Sequence, residues 1–350
     1  MTKIHEYGIY FGLDEDEYHA DPALGSTGVK DLYFDPVEYQ HEILNPTPKD
    51  WQAPHLVWGS ALHARTLEGR SAFDKFSINP NKADYEDLLD TMKDLEKHAD
   101  MLGIPSPRKK TDLISAIRDF DKDVPIWDEI YNKYQDDLAE KPSLTKENVR
   151  EIEAAAEWMQ RDPLLEVVME DGTFCGGGSE VSIFYDQNGL RRKARLDFMG
   201  VGTIVDLKSW RSKTTRRMTV QRAFMNELNA FRYDIQAADY LQAWKHGRFL
   251  WETDRVFGKP PSETFLEEVY SYEVPRWIWV MMKANGAPQP LVVEFSSNTF
   301  AYGAALDCVN EGVENYLKFC ERYGKDEIWY SSHPVLVLAN EDFPPWFGQK

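Results

Sequence analysis

The sequence predicts a mixed α/β fold of the α+β type, with a central mixed sheet that contains a three-stranded meander flanked by helices. The alternating run Val181–Tyr185 precedes Asp186-Gln187-Asn188-Gly189, a turn sequence that suits a tight hairpin. The predicted order is helices, three strands, a helix, two strands and a helix, which favours this class. Residues 81–145 carry helical periodicity instead, which indicates a helical insertion.

Two helices are predicted before the insertion. Ser26 and Thr27 can cap the first helix, and Pro36 interrupts or follows it. The second helix is expected to begin near Gly59–Ser60 and to continue to Leu67. The rest of residues 1–50 is expected to form short turns.

The insertion contains two amphipathic segments, around 88–95 and 113–120. The stretch Leu102–Phe120 resembles a SAP-like DNA-binding unit, with Arg108-Lys109-Lys110 at the start of its second helix. Over 84–122, however, ten acidic residues outnumber seven basic ones, so DNA binding by the insertion stays open. We therefore divide the chain into three parts. Residues 1–80 are the N-terminal part of the main domain, residues 81–145 are the insertion, and residues 146–350 are the core with its C-terminal tail.

The sheet is predicted from the middle of the chain onward. The second strand of the meander passes through Ala194, Leu196 and Phe198, and the third covers Thr203–Lys208. One long helix is predicted over about 219–246. The other predicted elements of this region are a helix, two strands and a final helix: about 146–160, Trp277–Met282, Leu291–Phe295 and about 298–322.

Composition excludes several classes of protein. Forty Lys and Arg against 59 Asp and Glu give a net charge of −19, which argues against a protein that coats nucleic acid. Cys175, Cys308 and Cys320 are too few for a disulfide framework or an iron–sulfur cluster, and they form no zinc-type pair. We expect free thiols, no membrane partner and a cytoplasmic location, because no signal sequence or long apolar run occurs.

Two short motifs near the ends of neighbouring strands suggest chemistry. Arg195-Leu-Asp197 ends the second strand, and Asp206-Leu-Lys208 ends the third. Residues two apart in a strand share a face, so Asp206 and Lys208 project together, and the meander brings Asp197 beside them. Clustered carboxylates repel unless a hard cation such as Mg²⁺ joins them, and such a cation can polarise a phosphate. The alternative for Asp206 and Lys208 is an ordinary surface ion pair.

With further motifs, the sequence resembles the PD-(D/E)XK nuclease superfamily, and more closely the RecE-like (exonuclease VIII type) phage recombination exonucleases. The resemblance covers most of the chain, and it departs at Thr27, where the family often has Ser, and at the 81–145 insertion. The matching motifs, in order along the chain, are Leu24-Gly25-Ser26-Thr27, Gly59-Ser-Ala-Leu-His63, Glu180, Arg195-Leu-Asp197, Asp206-Leu-Lys208-Ser209, Gln236-Ala-Ala-Asp-Tyr240 and Trp329-Tyr330.

The resemblance implies roles for individual residues. Lys208 would be the catalytic lysine, and Gln236 and Tyr240 would line the site and orient DNA or Lys208. Glu180 would assist through a water molecule or a second metal ion. The ligands of Mg²⁺, for which Mn²⁺ could substitute, would be His63, Asp197, Asp206 and the Leu207 carbonyl. Without the resemblance, His63 would be taken as a core residue, and Gln236 and Tyr240 as an ordinary helical pair.

The activity implied is that of an Mg²⁺-dependent exonuclease that degrades one strand of linear double-stranded DNA, 5′ to 3′. Its single-stranded tails would serve recombination by strand annealing, with a single-strand annealing protein as partner and a homo-oligomeric ring around the DNA. One alternative is a structure-specific or CRISPR-associated type of PD-(D/E)XK endonuclease. A second alternative is a non-catalytic DNA-binding recombination scaffold.

The net charge of residues 191–222 is positive, whereas that of the whole chain is negative. This window contains ten basic residues and only two acidic ones, Asp197 and Asp206. A confined basic channel would bind DNA in one place and repel it elsewhere, although a solvated basic loop is the alternative. Ser26 and Lys30 could bind a terminal phosphate, or Ser26 could simply cap its helix. The residues predicted to bind DNA are therefore Arg195, Arg211, Lys213, Arg216, Arg217, Ser26 and Lys30.

Overall fold

The structure is a computed structural model, and it describes residues 3–47, 53–105, 109–210, 218–284, 286–331 and 338–343. Within those ranges, none of the helices combines the length and the apolar character that crossing a membrane requires. The main strands are β1 Gly8–Tyr10, β2 Ser77–Asn79, β3 Ser143–Thr145, β4 Met169–Glu170, β5 Thr173–Phe174, β6 Gly178–Gln187, β7 Leu190–Gly200, β8 Thr203–Trp210, β9 Val256–Phe257, β10 Arg276–Lys283 and β11 Leu291–Phe295.

A seven-stranded mixed sheet, in the order β11-β10-β8-β7-β6-β1-β9, forms the centre of the molecule. Its middle is the antiparallel meander β6-β7-β8, whose hairpin turn at Asn188-Gly189 has positive φ at both residues. Strands β8 and β10 run parallel, and so do β1 and β9. The predicted class, a mixed α/β fold with a three-stranded meander flanked by helices, is confirmed.

Helices cover both faces of the sheet. One face packs against α2, α10 and α12, and the other packs against α4 and α8. The helices are α1 Glu15–Ala20, α2 Ser26–Phe34, α3 Pro36–Leu44, α4 Pro54–Glu68, α5 Met92–Leu102, α6 Lys110–Phe120, α7 Trp127–Leu138, α8 Lys146–Gln160, α9 Val220–Phe231, α10 Tyr233–Glu252, α11 Phe265–Tyr270 and α12 Phe300–Tyr323.

Side chains alternate along β8 between these two faces. Ile204 joins the core under α10 and α12, whereas Val205 and Leu207 join the core under α4. By the same alternation, Asp206 and Lys208 project toward α10. The strand therefore carries its two charged residues on one face and its apolar anchors on the other.

Several predicted boundaries were wrong. The single helix over 219–246 is two helices, because Arg232 adopts a left-handed conformation with φ +50° between α9 and α10. Helix α4 begins at Pro54 rather than near Gly59, since proline is favoured in the first turn. Gly25, not Ser26, is the N-cap of α2, and no side chain caps that helix.

The insertion has a hydrophobic core of its own, which includes Leu95, Leu113 and Ile117. Its two predicted helices correspond to α5 and α6, although α5 begins at Met92 and so lies further along the chain than expected. A third helix, α7, was not predicted. The connector residues 106–108, including Arg108, lie outside the described residues. The three-part division of the chain and DNA binding by the insertion both remain predictions.

A buried ion pair fixes α10 on the sheet. Arg192 of β7 and Asp239 of α10 are both 0% exposed, and Arg192 Nη2 donates to Asp239 Oδ1 at 2.7 Å. The same guanidinium donates through Nε to the Leu24 carbonyl at 3.0 Å. The pair therefore joins three parts of the chain: the sheet, α10 and the segment before α2.

Removing one member of this pair leaves a buried charge without its counter-ion. We expect Asp239→Ala to lower the free energy of unfolding by about 3–5 kcal/mol, measured by denaturant titration. The double variant Arg192→Met/Asp239→Leu should recover most of that loss, since a well-packed apolar pair avoids the desolvation cost. A loss below about 1 kcal/mol in Asp239→Ala would show that the pair does not fix the helix.

Candidate active site

The site lies where β7 and β8 stop pairing. Their antiparallel ladder consists of Phe198 with Val205, Met199 with Ile204 and Gly200 with Thr203. The same register would place Asp197 opposite Asp206, but the ladder ends one step earlier. Asp197 Oδ2 instead accepts a hydrogen bond from the Leu207 backbone N–H at 2.8 Å. The Asp197 carboxylate thus replaces the next hydrogen bond of the ladder. It lies at the start of the gap that opens between β7 and β8.

A break in the β6–β7 ladder places Glu180 beside this gap, in register with Asp197 on the neighbouring strand. Ser179 pairs with Phe198 and Val181 pairs with Leu196, so Glu180 has no partner in the ladder. Its φ is +53°, a left-handed conformation that is strained for a residue other than glycine. Backbone strain of this kind is often found at active sites.

Helix α4 supplies His63 from one face of the sheet. A Cβ added to Gly59 would lie 2.8 Å from Ser209 Oγ, so glycine permits the close approach of α4 to β8. His63 follows one turn later, with Nδ1 3.7 Å from Asp197 Oδ2. The Gly-x-x-x-His spacing therefore has a physical basis: the glycine brings the helix close, and the histidine then reaches the carboxylates.

Three predicted residues come together as a candidate metal centre. His63, Glu180 and Asp197 each offer a ligand atom, and these atoms lie within 4.8 Å of one another. Two carboxylates and an imidazole suit a divalent ion of the Mg²⁺ or Mn²⁺ type. The donor set therefore fits the predicted metal, and Glu180 belongs to it more directly than the sequence indicated.

Asp206 and Lys208 form a pair beside this centre. Lys208 Nζ lies 2.7 Å from Asp206 Oδ2, and Gln236 Nε2 donates to Asp206 Oδ1 at 3.1 Å. Asp206 was predicted as a ligand, but it is not part of the three-residue group, and its ligand role remains a prediction. Gln236 of α10 thus contacts the site from the face opposite α4.

Tyr240 follows Gln236 by one turn of α10. Its ring packs edge-to-face on Trp277, with centroids 6.0 Å apart. Burial, then the nearby Tyr18 hydroxyl and Asp197 carboxylate, raise the pKa of Tyr240 well above its usual value. Tyr240 is therefore a neutral phenol at any ordinary pH, able to donate a hydrogen bond and unable to serve as a base.

Burial dominates the electrostatics of the site. It raises the pKa of Asp206 to about 6, against the opposing effect of Lys208. Burial also raises the pKa of Asp197 and, together with the Asp197 charge, that of Glu180. The pKa of His63 is lowered by burial and by the Lys208 charge, so its imidazole is neutral. Burial alone would lower the pKa of Lys208, but Asp206 and Asp197 outweigh it and hold that pKa above its usual value.

Several cations of the predicted basic channel bind partners inside the fold. Arg191 pairs with Asp21 at 2.9 Å, and Lys193 Nζ donates to the carbonyls of Tyr18 and Asp21. Together with the buried Arg192, these cations have internal partners, so they do not form a surface for DNA. Arg191, Arg192 and Lys193 therefore add no free positive charge to the channel predicted over 191–222, which otherwise remains a prediction.

Three of the residues predicted to bind DNA, Arg195, Ser26 and Lys30, lie in the part of the chain that the structure describes. Arg195 is 13% exposed; it pairs with Glu180 and donates to the Leu13 carbonyl at 3.0 Å. Lys30 Nζ donates to the Phe231 carbonyl at 3.1 Å, and half-buried Ser26 begins α2. Arg211, Lys213, Arg216 and Arg217 lie outside the described residues.

Sequence reasoning missed the partner of Glu180 and the role of Gly59. The Arg195–Glu180 pair spans neighbouring strands, and the left-handed backbone of Glu180 has no clear sequence signal. Asp239 belongs to the Gln236–Tyr240 motif, and its apolar neighbours at Ala237 and Ala238 could have marked it as buried. Gly59 could have been recognised from its place one helical turn before His63.

The approach of α4 to β8 can be tested at Gly59. We expect Gly59→Ala to weaken metal binding and to destabilise the fold by about 1–3 kcal/mol, because the added methyl would overlap Ser209 Oγ. Calorimetric Mn²⁺ titration and thermal melting measure the two effects. Ser209→Ala in the same chain should restore both properties.

The matched control is Gly303→Ala in α12, where an added Cβ meets nothing within 4 Å. That change should be neutral or slightly stabilising, since alanine favours helix. Equal effects at Gly59 and Gly303 would contradict the close-approach explanation.

Metal binding should depend on pH through the carboxyl groups. Because the pKa of Asp206 is raised to about 6 and those of Asp197 and Glu180 are also raised, protons compete with metal below that pH. We expect Mn²⁺ affinity to fall below about pH 6, by about tenfold per pH unit for each proton displaced, and to level off above it. His63 does not set this dependence, since its lowered pKa keeps it neutral.

The stability of the metal-free protein has the matching sign. A buried carboxyl with a raised pKa contributes stability that is present below about pH 4 and is lost as pH rises through about 6. Added Mn²⁺ should therefore raise the melting temperature more at pH 7.5 than at pH 5, and Asp197→Asn should abolish the gain. A pH-independent affinity, or full binding by Asp197→Asn, would exclude this site.

Comparisons with known proteins add little to this geometry. No family model matches the chain, and no curated protein matches it. The crystal structure of a "Putative exonuclease" from Eubacterium rectale aligns with a TM-score of 0.45 and 16% identity, over 87% of this chain and 85% of that one. A crystal structure named SSO0001 aligns with a TM-score of 0.20 and 12% identity, over 39% and 50%. At such TM-scores the function has to be argued from the site itself.

Proposed function

We propose that this protein is a divalent-metal-dependent nuclease that hydrolyses phosphodiester bonds of DNA. The observation that carries the proposal is the grouping of His63, Glu180 and Asp197 within 4.8 Å, next to the Lys208–Asp206 pair. Phosphodiester hydrolysis needs carboxylates that hold a hard cation and a positive group that faces the phosphate. Both parts lie at the same gap in the sheet.

His63, Asp197 and Glu180 would hold Mg²⁺, or Mn²⁺ in its place, with Asp206 and the Leu207 carbonyl as further ligands that the family resemblance implies. When bound, the ion would polarise the phosphate and lower the pKa of a water molecule. The imidazole of His63 is neutral and therefore available as a ligand. Asp197 is oriented by the Leu207 N–H, and Glu180 by Arg195.

Lys208 would act as an ammonium ion. Its raised pKa keeps the proton on Nζ at neutral pH, which favours stabilisation of negative charge on the phosphate over removal of a proton from water. Gln236 holds the Asp206 carboxylate through Oδ1, while Oδ2 faces Lys208. Asp206 therefore fixes the position of the ammonium, and α10 fixes the position of Asp206.

The finer assignment follows the resemblance to RecE-like exonucleases. We propose that the substrate is an end of linear double-stranded DNA, that one strand is degraded 5′ to 3′, and that the remaining strand serves recombination. A ring-shaped homo-oligomer and a single-strand annealing partner belong to the same proposal. Arg211, Lys213, Arg216, Arg217, Ser26 and Lys30 are proposed DNA contacts, and binding should weaken steeply with salt.

The intact Lys208–Asp206 pair favours an enzyme over a non-catalytic scaffold. A scaffold has no use for an ammonium held 2.7 Å from a carboxylate whose pKa is raised to about 6 by burial. Burying charged groups costs desolvation free energy, and strongly shifted pKa values cluster at functional sites.

Lys208→Ala tests the catalytic role. We expect it to reduce hydrolysis of linear duplex in Mg²⁺ by at least about 100-fold, because the positive charge beside the phosphate is lost. Mn²⁺ binding, measured by calorimetry, should persist, since His63, Glu180 and Asp197 remain. Exposed Lys318→Ala on α12 is the matched control and should keep full activity. Full activity in Lys208→Ala would contradict the assignment.

The form of the substrate separates exonuclease from endonuclease. We expect wild-type protein in Mg²⁺ to degrade linear duplex and to leave covalently closed circles intact. Strong cutting of closed circles would favour the structure-specific or CRISPR-associated type of endonuclease. No hydrolysis of either form, together with DNA binding, would favour the scaffold.

A further inference from the structure

We propose that Phe231 and Tyr233 form a stacking platform for a nucleobase of the strand whose phosphodiester lies at Lys208. This inference rests on the proposed nuclease function and adds a subsite to it. The ligand class is an unpaired nucleotide that neighbours the scissile phosphate, held by its aromatic face and not by its base identity.

The two rings are stacked because the helix is broken between them. Their centroids lie 5.6 Å apart, and their planes differ by only 13°. In a continuous helix, residues two apart do not face each other. The left-handed Arg232, with φ +50°, ends α9 and starts α10, and it brings the two side chains to the same side. A conformation that is unfavourable for arginine thus produces the aromatic pair.

The stack begins at the catalytic amine and ends in solvent. Lys208 Nζ lies 5.6 Å from the centroid of the Tyr233 ring. Tyr233 is half-buried, while Phe231 is 52% exposed. A base placed parallel to Phe231 would extend the stack outward from Lys208, and base–aromatic stacking of this kind tolerates any sequence. Trp210, at the end of β8, is buried in the core and cannot take this role.

A lysine lies beside the platform and can contact the phosphate of a nucleic acid strand. Lys30 of α2 donates one hydrogen bond to the Phe231 carbonyl at 3.1 Å, and an ammonium has two further donors. Arg232 lies 5.9 Å from the ring of exposed Phe34, but its charge is neutralised by Asp234 at 2.9 Å, so Lys30 is the residue that offers positive charge here. Aromatic faces beside positive charge are the usual combination in single-strand binding.

Binding of oligothymidylate, with an abasic oligonucleotide of equal length for comparison, tests the platform. Fluorescence anisotropy in the presence of EDTA measures affinity without hydrolysis. We expect Phe231→Ala to weaken binding of oligothymidylate by about 5- to 100-fold and to leave abasic binding nearly unchanged. Phe231→Trp should retain the preference for bases. Phe249→Ala, an exposed phenylalanine at the far end of α10, is the matched control and should behave as wild type.

The outcomes for the platform and for the nuclease differ. If Phe231→Ala discriminated between the two oligonucleotides as well as wild type does, with its melting temperature unchanged, the platform would be overturned. The proposed hydrolysis in Mg²⁺ would not be affected by that result. Base-dependent binding that is lost in Phe231→Ala would support the platform. If wild type also failed to cleave any DNA in Mg²⁺, the proposed function alone would be contradicted.

Discussion

The hydrogen bond from the Leu207 N–H to the Asp197 carboxylate is the contact on which the site depends. It occupies the position where β7 and β8 would make their next ladder bond, and it lets the strands separate without leaving a buried N–H unpaired. The separation gives His63, on one side of the sheet, access to Asp197, and it gives Gln236, on the other side, access to Asp206. A sheet that paired fully here would have Asp197 and Asp206 side by side without a gap for a cation.

The rest of the molecule positions α4 and α10, the two helices that contribute side chains to this gap. Gly59 lets α4 approach β8, and the buried Arg192–Asp239 pair fixes α10 on β7. Both arrangements are costly taken alone, since glycine weakens a helix and buried charges lose their hydration. Their combined effect is that His63 and Gln236, from opposite faces, are placed by packing rather than by flexible loops, as a catalytic site requires.

The sequence predicted what depends on local pattern. The Asn188-Gly189 turn, the alternation along β8 and the order of strands follow from short-range rules, and they placed Asp206 and Lys208 on one face. The spacing of Trp127, Ile130, Tyr131 and Tyr134 is helical and could have predicted α7. The break at Arg232 could not be predicted, because a left-handed arginine is set by tertiary contacts. Nor could the internal partners of Arg191, Arg192 and Lys193, since charge in a sequence window does not reveal which cations are buried.

The most direct test of this account is the position of a metal ion in the gap. Anomalous diffraction from crystals soaked in Mn²⁺ would locate it without reference to activity. We expect one strong peak within about 2.5 Å of Asp197 and His63 ligand atoms, with Glu180 or Asp206 completing the protein ligands. A peak that contacts neither Asp197 nor His63, or no peak at saturating Mn²⁺, would contradict a metal-dependent site between β7 and β8.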